Sequence, residues 1–304
     1  MSVLPGVLLL AACTVAPLAV AAPSTNDMRQ QQWQRLSQST DRDNVTAAVW
    51  LALPPISGGA LPDGFDAFEQ RAAQRYASDP QVLFALATVC QQVEKHCSDS
   101  RYHDALVRVE PQNAVNWLLL PDHGAPNAEQ LHAASTAHYA DSNLRTTLRV
   151  VRTALSGSDP KTVGEIAAAV PLPEFRGFVK ICKSAADAPV APCTAIAKQF
   201  VDDRSGTLLT RMIASATLQR MMKGTPDDVA AKQMRRDYVW LGDQDKTLLP
   251  EDQGRWQEAI IRYGEWDAML RAADSAGIAR TPPAGWAPKD PQSLLISEER
   301  TPAK

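Results

Sequence analysis

Four side chains able to bind a metal fall within 14 residues: Cys90, His96, Cys97 and His103. Thiolate and imidazole are the ligands of structural zinc, but those sites chelate through two cysteines separated by a short C-x2–4-C loop. Here the two cysteines are seven positions apart, and the loop is too long for that grip. The cysteine count offers a better reading. The chain has five, and setting Cys13 aside leaves an even set with short separations: Cys90, Cys97, Cys182 and Cys193. In an oxidising compartment such a set reads as two local disulfides, Cys90 with Cys97 and Cys182 with Cys193, one of the three pairings that four cysteines allow. The first pair constrains the backbone. On one unbroken helix its ends would lie about 10.5 Å apart along the axis, whereas a disulfide spans Cα atoms about 7 Å apart at most. A helix must therefore end between them, near Glu94-Lys95, with a turn through His96. The second pair clamps the loop-like KSAADAPVAP. Each short closure contributes about 2.5–3 kcal/mol by limiting the unfolded chain.

Other reactive residue types lack the spacing their chemistry needs. His132 and His138 are six apart, about 240° around a helix, and cannot share a ligand. Asp227-Asp228 and Glu251-Asp252 follow prolines, where carboxylates favour a helix start more than paired acid–base work. Ser158-Asp159-Pro160-Lys161 fits the bare S-x-x-K pattern of penicillin-recognising enzymes, but the S-D-N and K-T-G elements that accompany it are absent. No phosphate-binding loop, nucleophile elbow or HExxH occurs. The sequence assigns no catalytic residue, no metal ligand and no cofactor.

Composition narrows the class further. Of the 304 residues 45% are hydrophobic, enough to bury a core, and the net charge of −3 with no basic block argues against a nucleic-acid partner. Residues 1–21 form an uncharged apolar leader that reads as a signal peptide. It carries two export instructions. Leu10-Ala11-Ala12-Cys13 is a lipobox, which makes Cys13 a candidate for lipidation, and Ala19-Val20-Ala21 is a signal-peptidase site. A lipoprotein turns polar after its cysteine, yet TVAPLAVAA stays apolar, so cleavage after Ala21 or Ala22 is the preferred reading. Beyond residue 22 no apolar run is long enough to cross a bilayer. The expected location is the periplasm or envelope of a Gram-negative bacterium, as an outer-membrane lipoprotein if the lipobox is used. Membrane contact would then come only through the N-terminal lipid.

The elements that position these residues read as helices throughout residues 22–276. Apolar faces recur at helical spacing in Val82, Leu86, Val89, Cys90 and Val93, and in Leu144, Leu148, Val151 and Leu155. Ala230, Met234, Tyr238 and Leu241 repeat it, as do Trp256, Ala259, Ile260 and Tyr263. Asp79-Pro80, Asp159-Pro160 and Thr225-Pro226 each set a capping side chain before proline at the first helical position; Pro173-Glu174 and Pro250-Glu251-Asp252 look similar. No alternating β pattern appears, so the fold is all-α. From residue 277 to 304 the chain turns proline-rich and charged, which reads as a largely extended tail in which Trp286 either folds back or stays unpacked.

The stretch RVEPQNAVNWLLL resembles a junction between tetratricopeptide repeats. Pro111 and Trp117 have the family's spacing, Leu120 falls at its next core leucine, and Ala133 and Ala140 at its small packing positions. YGEWDAMLRAA, with Gly264 and Trp266, is similar to the turn inside such a hairpin. Pro121, Gly124 and Ala137 depart from the pattern. The resemblance implies degenerate antiparallel helical hairpins stacked in an α/α superhelix, like those of an exported bacterial group with paired cysteines; an irregular α-bundle is the alternative. It also implies a non-catalytic scaffold for a protein or peptide partner. An enzyme whose site is assembled from distant residues, or a structural envelope protein, is the other reading. Reduction is expected to lower the melting temperature of the oxidised protein, and thiol titration before reduction should find none of the four cysteines free.

Overall fold

The computed structural model describes residues 24–53, 60–93, 96–97, 100–183, 188–244, 248, 253–296 and 299. Cys13, Ala21, Ala22 and Pro250-Glu251-Asp252 lie outside them. Fourteen α-helices account for most of the described chain, and its one β contact is an isolated bridge between Asn113 and Tyr139. The fold is all-α. Among the described residues no helix is long and apolar enough to cross a membrane.

The N-terminal half is built around two helices. These are α2 (Arg42–Ala52) and α4 (Pro80–Gln92), flanked by α1 (Thr25–Leu36), α3 (Phe65–Arg75) and α5 (Arg101–Val109). In α4 every residue from Val82 to Gln91 is buried, the signature of a helix enclosed on all sides. Trp50 of α2 stands against Phe84 of α4 with ring centroids 6.4 Å apart. The predicted caps hold: Asp79 accepts from the Gln81 and Val82 amides, Asp159 from Thr162 and Thr225 from Asp228. Pro173-Glu174 does not start a helix. Gln91 and Gln92 at the end of α4 donate to the Glu174 and Leu172 carbonyls, and Gln91 accepts from the Glu174 amide. Tertiary hydrogen bonds thus hold this segment extended, and α9 (Arg176–Ile181) begins two residues later.

The second half comprises α6 (Ala128–Thr136), α7 (Leu144–Ala154), α8 (Pro160–Ala168), α10 (Val190–Val201), α11 (Leu208–Met221), α12 (Pro226–Asp243), α13 (Gln253–Tyr263) and α14 (Glu265–Ser275). Sequence neighbours pack in α10–α11, α11–α12 and α13–α14, but helices far apart in the chain also meet: α2 with α7, α1 with α8, and α13 with both α7 and α8. A repeat array contacts mainly its nearest neighbours. Packing here joins helices far apart in the chain as well as sequence neighbours.

The residues that carried the repeat resemblance are not set on one helical hairpin. Pro111 is exposed in a turn, Trp117 lies in a single 3-10 turn (Asn116–Leu118), and Leu120 is buried outside any helix. Ala133 is half-buried in α6, whereas Ala140 is buried four residues past its end. Asn113 and Asn116 explain the loss of the helix expected after Pro111. Asn113 donates to the Asp141 carbonyl and accepts from the Asp141 and Val115 amides, while Asn116 donates to the Glu110 carbonyl and carboxylate. Short amides that bond the backbone this way compete with helix.

Two other expectations shift. The buried residues of α12 are Asp228, Ala231, Arg235, Val239 and Leu241; of the expected face, Leu241 is buried, Met234 and Tyr238 are half-buried and Ala230 is exposed. Arg235 is drawn inward because it donates to the Ser293 and Leu295 carbonyls. These bonds pin the tail at its 3-10 turn (Pro291–Leu294), which packs against α12; upstream, a turn is closed by the Trp286 amide on the Pro283 carbonyl. Trp286 packs edge-on against Trp240, centroids 5.7 Å apart, beneath the Arg236 guanidinium.

In α9, Gly177 faces the backbone of Gly124, and a Cβ there would fall 2.0 Å from the Gly124 carbonyl oxygen. Gly177→Ala should destabilise the protein by about 2–3 kcal/mol, the cost of overpacking a contact that cannot give. Gly242→Ala, on α12 with open space around it, should be neutral or stabilising by up to about 1 kcal/mol. Parallel denaturant titrations of the two variants check the contrast.

Candidate functional site

The helices α13 and α14 are joined by one residue, Gly264. Its φ of +86° suits only glycine, and a Cβ would meet the Ser205 carbonyl oxygen at 2.9 Å. Between the two helices lies a groove of about 420 Å3, within the size range of ligand sites. Trp256, Ala259 and Tyr263 form the α13 wall at helical spacing; Ala268, Ala272 and Ala276 line the other side at four-residue steps, with Leu248 completing the floor. The alanines make the groove, because they leave unfilled the volume that larger side chains would take. Arg255 and Arg271 stand exposed at its rim. The Arg271 guanidinium lies 4.0 Å from the centre of the Tyr263 ring, a cation–π contact. The hydrogen bond and charge of Arg262, with Arg271 behind, hold the Tyr263 phenol below its ordinary value. Among the described residues no carboxylate or histidine lines this groove. A second cleft of about 270 Å3, between residues 37–40 and α3, likewise carries arginines, Arg71 and Arg75, beside Phe68 and Tyr76.

The concentrated carboxylates lie elsewhere, where three inter-helix turns converge. Asp203, buried after α10, accepts from the Ser142 amide and hydroxyl, the Ser205 amide, and the Thr207 and Thr210 hydroxyls. Asp141 accepts from the Ser205 hydroxyl at 2.6 Å and the Asn143 amide. Burial pushes its carboxyl up against these bonds, with Asp203 and Glu110 adding repulsion. Glu265 opens α14 and accepts from the Leu208 amide at 2.7 Å, at the first residue of α11, where a helix favours negative charge. Burial pushes Glu265 up as well. Next to Asp141, Tyr139 donates to Glu110 and its phenol is pushed up to about 12, by burial first and then by that bond. Perturbed carboxylates are a usual pointer to catalysis; here both oxygens of Asp203, and one oxygen each of Asp141 and Glu265, accept from the protein's own donors. The cluster is a joint between turns.

The sequence-predicted residues divide accordingly. Cys90 pairs with Cys97 across a Cα separation of 5.1 Å, and Cys182 with Cys193 across 5.8 Å. As expected, α4 ends before the first bridge closes, with Val93 as its C-cap and His96 in a turn. His103 sits buried on α5 beside Asp104 and is not grouped with His96. His132 and His138 are both exposed. Asp159 caps α8 rather than taking part in an S-x-x-K constellation; hydrogen bonds from Thr162 hold its carboxyl below the ordinary value. Asp227 and Asp228 occupy the first turn of α12. The groove contains three residues singled out only as an apolar face, Trp256, Ala259 and Tyr263. The Ala268, Ala272, Ala276 stripe was the unread signal: small residues at helical spacing opposite aromatics.

The fold and groove define an all-helical protein braced by two disulfides, with a concave aromatic surface on its C-terminal hairpin. No protein-family model matches the sequence, and no curated protein or solved structure matches it either.

Because the folded-state value of Glu265 is raised, its ionisation opposes folding. Its contribution to stability is present below the ordinary glutamate value of 4.5 and is lost as pH rises through the folded value. Glu265→Gln keeps an acceptor for the Leu208 amide and removes the charge. Its melting temperature should match or exceed wild type at neutral pH, and that advantage should shrink as pH falls towards 4.5. A pH series of thermal melts decides; a variant uniformly less stable would contradict the assignment.

Proposed function

We propose that this chain is an exported, non-catalytic envelope protein that holds a protein or peptide partner in the groove between α13 and α14. One observation carries the reading: an aromatic and alanine-lined groove of about 420 Å3 with the Arg271 guanidinium at its rim. Such a surface suits a segment that offers an apolar side chain beside a carboxylate. Apolar contact supplies affinity, and Arg271 supplies orientation and disfavours basic segments. Two buried disulfides support an oxidising compartment outside the cytoplasm. Within that compartment the periplasm of a Gram-negative cell is the favoured site, with release after Ala21 or Ala22 preferred over a lipid on Cys13. The recognition surface belongs to one hairpin and does not require a regular superhelix, so the repeat resemblance contributes the hairpin as its unit.

A photo-crosslinking residue at Ser275, an exposed position lining the groove, should capture a discrete partner in intact cells. The same residue at Val229, 67% exposed on α12, should not. Adding Arg271→Glu should reduce the Ser275 adduct about tenfold, as expected when a rim charge is reversed towards an acidic segment. Equal adducts from both positions, or none, would remove the groove from this role.

A further inference from the structure

We propose that Asp66, Glu69 and His96 form a binding site for a divalent transition-metal ion, with Zn2+ the cation that their chemistry fits best. The site is independent of the groove and of the role given to it. Asp66 and Glu69 are three apart on α3 and therefore share one face. His96 reaches that face from the turn after α4. The Cys90–Cys97 bridge ties this turn to α4, and the imidazole is set against the Phe65 ring, centroids 5.5 Å apart. Donor atoms of the three side chains lie within 4.8 Å of one another. The His96 Nε2 and Glu69 Oε2 atoms are 3.2 Å apart, close to the spacing of about 3.4 Å between two donors on a tetrahedral ion with bonds of 2.0–2.1 Å.

Glu69 is the observation that asks for a cation. Its side chain is 9% exposed, one helical turn after buried Phe65, and its Oε1 is buried with no hydrogen-bond partner. Buried carboxylates are normally paired or fully hydrogen-bonded. Here the other oxygen meets only His96, whose side chain is itself 13% exposed. An ion on this face would satisfy the carboxylate, bind the neutral imidazole and draw in exposed Asp66, leaving a fourth position for water. One imidazole and two carboxylates are a zinc-type donor set. The sulfurs of Cys90 and Cys97 also lie within reach of Glu69, but bonded to each other they offer no thiolate. Oxidation therefore directs the site to nitrogen and oxygen donors.

Titration of the oxidised protein with Zn2+ by calorimetry should show one saturable site with a Kd near or below about 10 µM. A hundredfold excess of Zn2+ over that Kd should raise the melting temperature by several degrees. Asp66→Asn changes an exposed side chain and should leave the metal-free melting temperature unchanged while weakening binding about tenfold or more. His96→Gln should abolish the site, and a His132→Ala, His138→Ala double variant should bind as wild type. The proposal is overturned if no saturable binding appears below about 1 mM, the weak-affinity limit, or if Asp66→Asn and His96→Gln both bind like wild type. Glu69 and His96 would then be an ordinary ion pair.

Discussion

The carboxylate of Asp203 carries more of the architecture than any apolar contact does. Its five donors come from the loop before α7, from the turn leading into α11 and from the first turn of α11 itself. A third turn joins through the backbone: the Glu265 and Trp266 amides donate to the Ser205 and Gly206 carbonyls. Hydrophobic burial is non-directional and would let α7, α11 and α14 slide against one another. Hydrogen bonds to one buried acceptor do not, because each missed donor leaves a costly unsatisfied group. Gly264 is the steric counterpart, since only a residue without Cβ lets the α13–α14 turn approach Ser205 so closely. The groove depends on this joint, which fixes where its hairpin starts.

The N-terminal half solves the same problem with an enclosed helix. Helix α4 is apolar enough to be surrounded, and its two terminal glutamines reach out to hold the segment before α9. The Cys90–Cys97 bridge then ties the chain leaving α4 back to it. One consequence is local: His96 is held over α3 beside the half-satisfied carboxylate of Glu69. The bridge that removes the thiolates from metal chemistry is thus the element that presents the imidazole.

Much of the fold was legible, and where the reading failed the failures share a cause. Helix starts at Pro80, Pro160 and Pro226 were readable because a capping side chain before proline acts within one turn. The end of α4 before Cys97 followed from disulfide reach alone. The α12 face was misjudged because Arg235 is buried by carbonyls 58 and 60 residues away. Pro173-Glu174 was misjudged because its partners are the glutamines of α4. The repeat-like stretch after Pro111 lost its helix to Asn113 and Asn116, whose bonds run to Asp141 and Glu110. In each case a long-range or side-chain hydrogen bond outweighed a local pattern worth a few tenths of a kcal/mol per residue.

The amino-acid sequence by itself determined the helical class, the caps before Pro80, Pro160 and Pro226, and the need for α4 to end before Cys97 if it pairs with Cys90. These follow from periodicity, capping chemistry and loop closure, which act over a few residues. Only the tertiary structure decided that α1 and α2 pack on α8 and α7, that three turns share Asp203, and that the 3-10 turn of the tail packs against α12. It alone brought Trp256 and Tyr263 opposite an alanine stripe, and His96 over Glu69. Those juxtapositions depend on which helices meet. That choice is set by shape and by the satisfaction of buried polar groups, and neither is written in the order of residues along one helix.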